Sequence, residues 1–197
     1  MIIISTEQVP KSEQHSHAHR LLSQCLKEHG IDYAVGVTPV SLGKHGKPYL
    51  TERPELHYNI SHAEGIAVAM VSRHECGIDC EPIRRYNPRV MNRVFSIAER
   101  EAVEAAPEAE RELMFFRLWT LKEAYVKAIG KGLSFPFKEA AFAFEQDRIV
   151  ADLKGCCFAQ YIIDGKFSVS VCEFAECCES HRSFDLQMQG GSCLVLP

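Results

Sequence analysis

The sequence predicts an α+β protein, and three observations carry that reading: short apolar runs of strand length, two longer stretches with apolar residues at helical spacing, and glycine or proline punctuation between them. Residues 14–29 place Leu21, Leu22, Cys25 and Leu26 on one helix face, and Gly30 supplies the stop. Ser41 to Pro48 holds two glycines and a proline and reads as a loop. "LHYNIS" (56–61) and "GIAVAMVS" (65–72) read as strands, and Arg73 to Cys76 is expected to turn the second back into "GIDCE" (77–81) as a hairpin. Pro82, Asn87 and Pro88 break the run. A helix starts at Ser96, where "SIAE" fits the capping box S-x-x-E with Glu99 reaching back to the Ser96 amide. A longer helix covers about Arg111 to Ile129 and ends at Gly130 and Gly132. "AAFAF", "CCFAQYIID" and "KFSVSVCEF" read as strands, and the tail after Glu179, with Gly190-Gly191, as irregular.

The 197 residues suffice for one compact domain or two small related halves with a real core. With 46% hydrophobic and 24% charged residues the chain reads as globular, not disordered or membranous. Ile2-Ile3-Ile4 gives way at once to Ser5-Thr6-Glu7, so neither a signal peptide nor a membrane span is expected. Nine cysteines, an odd number with adjacent pairs at 156–157 and 177–178, do not resemble a disulfide framework; they read as reduced thiols of a cytoplasmic protein. A net charge of -4 argues against nucleic-acid or anionic-membrane binding driven by overall charge. Anion recognition must then rest on local clusters: Lys44 with Lys47, Arg84 with Arg85, and Lys122, Lys127 and Lys131.

Two stretches carry chemistry. On a strand, Asp79 and Glu81 of "GIDCE" project from one face about 6.6 Å apart, with Ile78 and Cys80 facing the buried side. The bland alternative is the solvated face of a half-buried strand. In "LWTLKEAYVKAIGKGL" (118–133), Leu118, Leu121, Tyr125, Ala128 and Ile129 form an inward stripe and Lys122, Glu123 and Lys127 fall on another side. Glu123 and Lys127 are helix neighbours, and as a mere surface pair they would contribute about 0.2–0.5 kcal/mol. Taken together, Asp79, Glu81 and Glu123 make an all-oxygen site suited to Mg²⁺, with positions left for water and substrate phosphate, and Lys127 could neutralise a phosphate oxygen.

Other clusters carry less. Ser61 and His62 are adjacent on a strand and face opposite ways, which argues against a Ser-His nucleophile pair. "GKHGKP" lacks the spacing of a phosphate-binding P-loop. Of His15, His17 and His19, only the outer two share a helix face, and no further metal ligands are evident beside them.

"GIDCE" followed by "WTLKEAYVKAIGKGL" resembles the 4′-phosphopantetheinyl transferase superfamily, and "GKPYL" (46–50) and "YNISHAEG" (58–65) resemble its surfactin-synthetase-activating type. The resemblance implies two similar α+β halves about a pseudo-twofold axis, here residues 1–75, a shortened N-terminal half, and 76–197, which carry the metal-binding motifs. It implies Mg²⁺ held by Asp79, Glu81 and Glu123, and coenzyme A bound between the halves with Lys127 on its phosphates. Lys47, Ser61 and His62, with Arg20, would hold the adenosine 3′-phosphate end. The implied reaction moves the 4′-phosphopantetheine group to a serine of an apo acyl, peptidyl or aryl carrier protein, with Glu123 and Lys127 as catalytic groups and the enzyme a monomer. Lys122, Lys131, Phe95 and Met114 would be carrier contacts. The alternatives are a non-catalytic carrier-binding scaffold of the same fold, which predicts a damaged acidic set although all three acids are present, and a Cys/His metal-binding module.

Overall fold

The structure is a computed structural model and describes residues 1–146, 148–175 and 184–191 and the backbone of 193–196. In chain order the elements are β1 (Ile2–Ser5), α1 (Gln14–Lys27), β2 (Val40–Leu42), β3 (Pro48–Leu50), β4 (His57–Ala63), β5 (Ile66–Ser72) and β6 (Cys76–Pro82). There follow α2 (Pro88–Val94), α3 (Ile97–Ala105), α4 (Arg111–Ile129), β7 (Phe142–Glu145), β8 (Arg148–Ala151), β9 (Cys156–Ile163), β10 (Phe167–Phe174), β11 (Leu186–Gln189) and β12 (Cys193–Leu196).

Strand alternation sets the layers. The strands build two four-stranded sheets, ordered β11-β1-β5-β4 and β12-β9-β10-β6. Ile2, Ile4, Ile66, Val68 and Met70 of the first sheet pack against Cys76, Ile78, Cys80, Tyr161, Val169 and Val171 of the second. The opposite face of the first sheet, with Ile3, Ala67, Ala69 and Val71, receives Leu21, Leu22, Cys25 and Leu26 of α1. The opposite face of the second receives α4, whose Ala124 and Ala128 meet Cys172. Because β5 is covered on both faces, its sequence reads as a continuous apolar run, not an alternating one.

Several expectations need correction. The turn after β5 does not close a hairpin: β1 and β4 occupy both edges of β5, so the chain crosses to the other sheet and β6 pairs with β10. The stretch 41–48 is a loop only in its middle, since its ends pair in the β2-β3 hairpin. Asn87 and Pro88, read as breakers, start α2, with the Asn87 side chain accepting from the Arg89 amide and Pro88 in the first turn. The tail is not irregular where it is described, because β11 runs parallel to β1 and β12 antiparallel to β9. Cys25, Cys76, Cys80, Cys156 and Cys172 are free thiols, but Cys157 is disulfide-bonded, against the reading of all cysteines as reduced. Cys177 and Cys178 lie outside the described residues.

The contact that positions everything else is α4 on β6. A Cβ on Gly77 would stand 2.1 Å from the Ala124 carbonyl oxygen and 2.4 Å from the Ala128 nitrogen, both backbone atoms. Only glycine lets the helix lie so close, with Thr120, Ala124 and Ala128 as a row of small residues beneath it. Gly77→Ala is therefore expected to cost about 2–3 kcal/mol, read as a fall in the urea midpoint, and to part Lys127 from β6. A midpoint unchanged within error would contradict this packing.

Candidate active site

The close approach of α4 to β6 brings two helix side chains over two strand carboxylates. Asp79 and Glu81 face α4 while Ile78 and Cys80 enter the core between the sheets, as the alternation predicted. The Lys127 ammonium donates to Asp79 Oδ1 at 2.7 Å, to Ser61 Oγ at 2.9 Å and to the Ile78 carbonyl at 3.2 Å. Ser61 in turn donates to Asp79 Oδ1 at 2.9 Å. Ser61 comes from β4 in the other sheet, and Asn59 on that strand accepts from the Ile78 amide at 2.9 Å. The group therefore straddles the seam between the two sheets. The ion pair of Lys127 is with Asp79; Glu123, the helix neighbour the spacing suggested, acts on it through charge.

Three carboxylates crowd around one ammonium, and their proton affinities record it. Burial, then the charges of Asp79 and Glu81, push Glu123 up to about 7 against the pull of Lys127. Burial and Asp79 also raise Glu81, offset by Arg84, 3.5 Å away, and by a hydrogen bond with Trp119. For Lys127, burial opposes the charge, but Asp79 wins and holds the amine above the usual lysine range. Asp79 is 5% exposed, and its Oδ2 has no hydrogen-bond partner among the described residues. A buried, unpartnered carboxylate oxygen within charge range of two further carboxylates offers the oxygen chemistry that a hard divalent cation takes. Among the described residues no group of three or more His, Cys, Asp or Glu side chains is arranged to hold a metal ion, so Asp79, Glu81 and Glu123 do not form a metal site as they stand.

Residues 75–172, which contain all four of these charged groups, match the family model described as the 4′-phosphopantetheinyl transferase superfamily. A 4′-phosphopantetheinyl transferase of Bacillus subtilis is 31% identical over 87% of this chain and 83% of its own length. The chain belongs to the 4′-phosphopantetheinyl transferase superfamily. Within it, the 4′-phosphopantetheinyl transferase Sfp of Bacillus subtilis strain 168 is 30% identical over the same shares, which supports the surfactin-activating type. A holo-(acyl-carrier-protein) synthase from Bacillus anthracis, solved with coenzyme A (3′,5′-ADP), overlaps 51% of this chain and 94% of its own at a TM-score of 0.43 and 18% identity.

In this superfamily member the remaining nominated residues scatter. His62, next to Ser61, turns the other way and is exposed, its ring centroid 5.6 Å from that of His15. Lys47 donates to Glu75 at 2.6 Å, to the Cys76 carbonyl at 3.1 Å and to the Ala128 carbonyl at 2.7 Å, strapping the β2-β3 hairpin to the start of β6 and the end of α4. Arg20, exposed on α1, lies 2.9 Å from His17 Nδ1. Two residues of the carrier-contact reading are corrected: Phe95 and Lys122 are both 0% exposed, so neither can meet a partner. Lys122 instead pairs with Glu99 at 2.9 Å and donates to the Phe137 and Ala140 carbonyls. The capping box holds, Glu99 accepting from the Ser96 amide at 2.7 Å, and the same carboxylate accepts from the Phe142 amide at 2.9 Å.

Sequence reasoning missed Trp119 as a partner of Glu81, although its spacing four residues before Glu123 places both on one helix face. With Glu81, Arg84, Tyr86 and Phe115, Trp119 lines a cavity of about 300 Å³. A larger one, about 650 Å³, lies between α1 and the segment 33–40, with His15, His19, Tyr33 and Tyr58 on its walls.

Proposed function

We propose that this protein transfers the 4′-phosphopantetheine group of coenzyme A to a serine of an apo acyl, peptidyl or aryl carrier protein, giving the holo carrier and adenosine 3′,5′-bisphosphate. The observation that carries the reading is the meeting of Ser61, Asp79 and Lys127 beside Glu81 and Glu123 at the seam of the sheets. It occurs in a chain whose relatives are named 4′-phosphopantetheinyl transferases. The intact acidic set speaks against a non-catalytic scaffold.

The difficulty of the reaction is charge. The serine oxygen must form a bond to the pantetheine-side phosphorus of a pyrophosphate while the bond to the departing phosphate breaks. Lys127, fixed by Asp79 and Ser61 before substrate arrives, offers a preorganised positive charge to the phosphate oxygens. Glu123 is the carboxylate placed to accept the serine proton, its basicity in the loaded site lowered by any cation it also holds. Asp79, Glu81 and Glu123 would hold Mg²⁺, with Asp79 Oδ2, which has no hydrogen-bond partner among the described residues, as one ligand oxygen. When bound, the ion supplies Lewis-acid stabilisation of the charge building on the pyrophosphate. Arg84 and Trp119 keep Glu81 oriented. The family resemblance assigns the adenosine 3′-phosphate end to Lys47, Ser61 and His62 with Arg20; of these, Ser61 is engaged with Asp79 and Lys127 and Lys47 with Glu75, and His62 turns away from Ser61. The enzyme acts as a cytoplasmic monomer; among the described residues no helix is long and apolar enough to cross a membrane.

The test is mass spectrometry of apo carriers incubated with coenzyme A, Mg²⁺ and the protein. One added phosphopantetheine on the carrier serine supports the reading, and no gain on any carrier with the protein folded sinks it. His62→Ala is expected to raise the KM for coenzyme A about tenfold or more, and for a 3′-dephospho analogue far less, as befits loss of a charged hydrogen bond. Lys47→Ala should do the same and also lower the melting temperature, because Glu75 and two carbonyls lose their donor. Equal penalties on both substrates would show that these residues serve the fold alone.

A further inference from the structure

His15 and His19 of α1 take no part in the proposed transfer chemistry, and the structure supplies the neighbour that the helix alone lacks, His62, a residue that the coenzyme A reading also uses. We propose that His15 and His19 chelate a borderline divalent transition ion of the Zn²⁺ class, with His62 of β4 as third ligand and water as the fourth.

His15 and His19 lie one turn apart on the same face of α1, the spacing by which two histidines of one helix grip zinc. Their Nε2 atoms are 3.2 Å apart. Two nitrogens bound to one tetrahedral zinc at about 2.0–2.1 Å stand about 3.3 Å from each other, so the pair is already spaced for an ion between them. His19 Nδ1 is 2.9 Å from the Tyr33 hydroxyl, and the two rings stack 8° from parallel. With Nδ1–H donating to Tyr33, the Nε2 lone pair points at His15; such an outer partner orients a metal-binding imidazole. The His62 ring lies nearly edge-on to His15, at 5.6 Å between centroids. No third side chain already stands in ligand position among the described residues, so His62 joins by turning its exposed ring. The cavity of about 650 Å³ beside the pair gives the ion a way in. Three nitrogens select Zn²⁺, Ni²⁺ or Cu²⁺ over Mg²⁺, which sets this site apart from the carboxylates at the seam.

The test uses the full chain without a histidine tag and without coenzyme A, so its outcome is independent of the transfer reading. Titration with Zn²⁺ by calorimetry should find a site whose affinity falls about tenfold or more in His15→Ala and in His19→Ala, less in His62→Ala, and not in Cys156→Ser. Saturating Zn²⁺ should raise the melting temperature of the native chain and not that of His15→Ala, whose exposed side chain carries no part of the core. No saturable binding, or equal affinity in the native chain and both α1 variants with unchanged circular dichroism, overturns the site. An unchanged affinity in His62→Ala removes His62 from it.

Discussion

Lys122→Glu is expected to abolish cooperative unfolding at 25 °C instead of weakening a partner contact. The Lys122 ammonium is held by Glu99 at 2.9 Å and by the Phe137 and Ala140 carbonyls at 2.9 and 2.6 Å, with both side chains at or below 1% exposure. Burial lowers the lysine's proton affinity, and Glu99 works against that loss. Removing one partner of such a pair costs about 3–5 kcal/mol, because the other charge stays buried. Reversal adds repulsion between two carboxylates and leaves two carbonyls without a donor, which brings the loss close to the whole stability of a domain, about 5–15 kcal/mol. Glu99→Gln is a milder probe of the same joint. Glu99 Oε2 accepts from Ser96, and Oε1 accepts from Phe142 and Lys122; an amide has one oxygen and must turn its NH₂ toward a donor on one side. Capping alone would tolerate the amide, but this threefold role does not, and a fall of about 2–3 kcal/mol is expected. Thermal and urea melts of both variants decide it. A Lys122→Glu protein that melts within a few degrees of the native one would refute the buried pair.

Glu123→Gln is expected to lower carrier modification by about 10²–10³-fold or more, the scale on which loss of one preorganised charged group is felt. Its effect on stability should have the opposite sign and depend on pH. The carboxyl is pushed from 4.5 to about 7 by burial and by Asp79 and Glu81, so between those values the folded chain keeps a proton that the unfolded chain has released. Stability therefore falls as pH rises from about 4.5 to 7, and the cost is complete above 7. Glutamine never bears it. In metal-free buffer the variant should melt above the native protein at pH 8 and level with it at pH 5. Mg²⁺ should raise the native melting temperature more than that of the variant. An active Glu123→Gln, or a melting difference that is the same at both pH values, would contradict the assignment.

The contrast between these two residues shows what the sequence could and could not convey. Alternation placed Asp79 and Glu81 on one face of β6, and helical spacing placed α4 at Arg111–Ile129 with Glu123 and Lys127 on one flank. Those are local regularities, legible in any chain. Lys122 sits next to Glu123 in sequence and followed it to the outside in that reading, because a helix wheel offers one inward face. In the fold α4 has two: the small row Thr120, Ala124 and Ala128 meets the sheet, and the flank with Leu118, Leu121 and Lys122 is roofed by the segment through Phe137 and Ala140. Nothing local says that a roof will arrive. The β5–β6 turn failed for a similar reason. Its residues suit a hairpin, and only the prior claim of β1 and β4 on both edges of β5 sends the chain across. Gly77 passed as the opening letter of a motif, its importance residing in a helix backbone nearly fifty residues away in the chain.

The placement of β11 bears on how the molecule is made. β1 lies between β5 and β11, so residues 2–5 acquire their second neighbour only from residues 186–189. During synthesis from the N-terminus, the first sheet can be laid down as far as β4-β5-β1 and then must wait, one row of backbone amides and carbonyls unsatisfied, while β6, α4, β9 and β10 emerge. Contacts that distant in sequence are slow to form, and an open edge held over that interval invites pairing with another chain. The sheet begun by the first residues is closed by a strand from the far end of the chain.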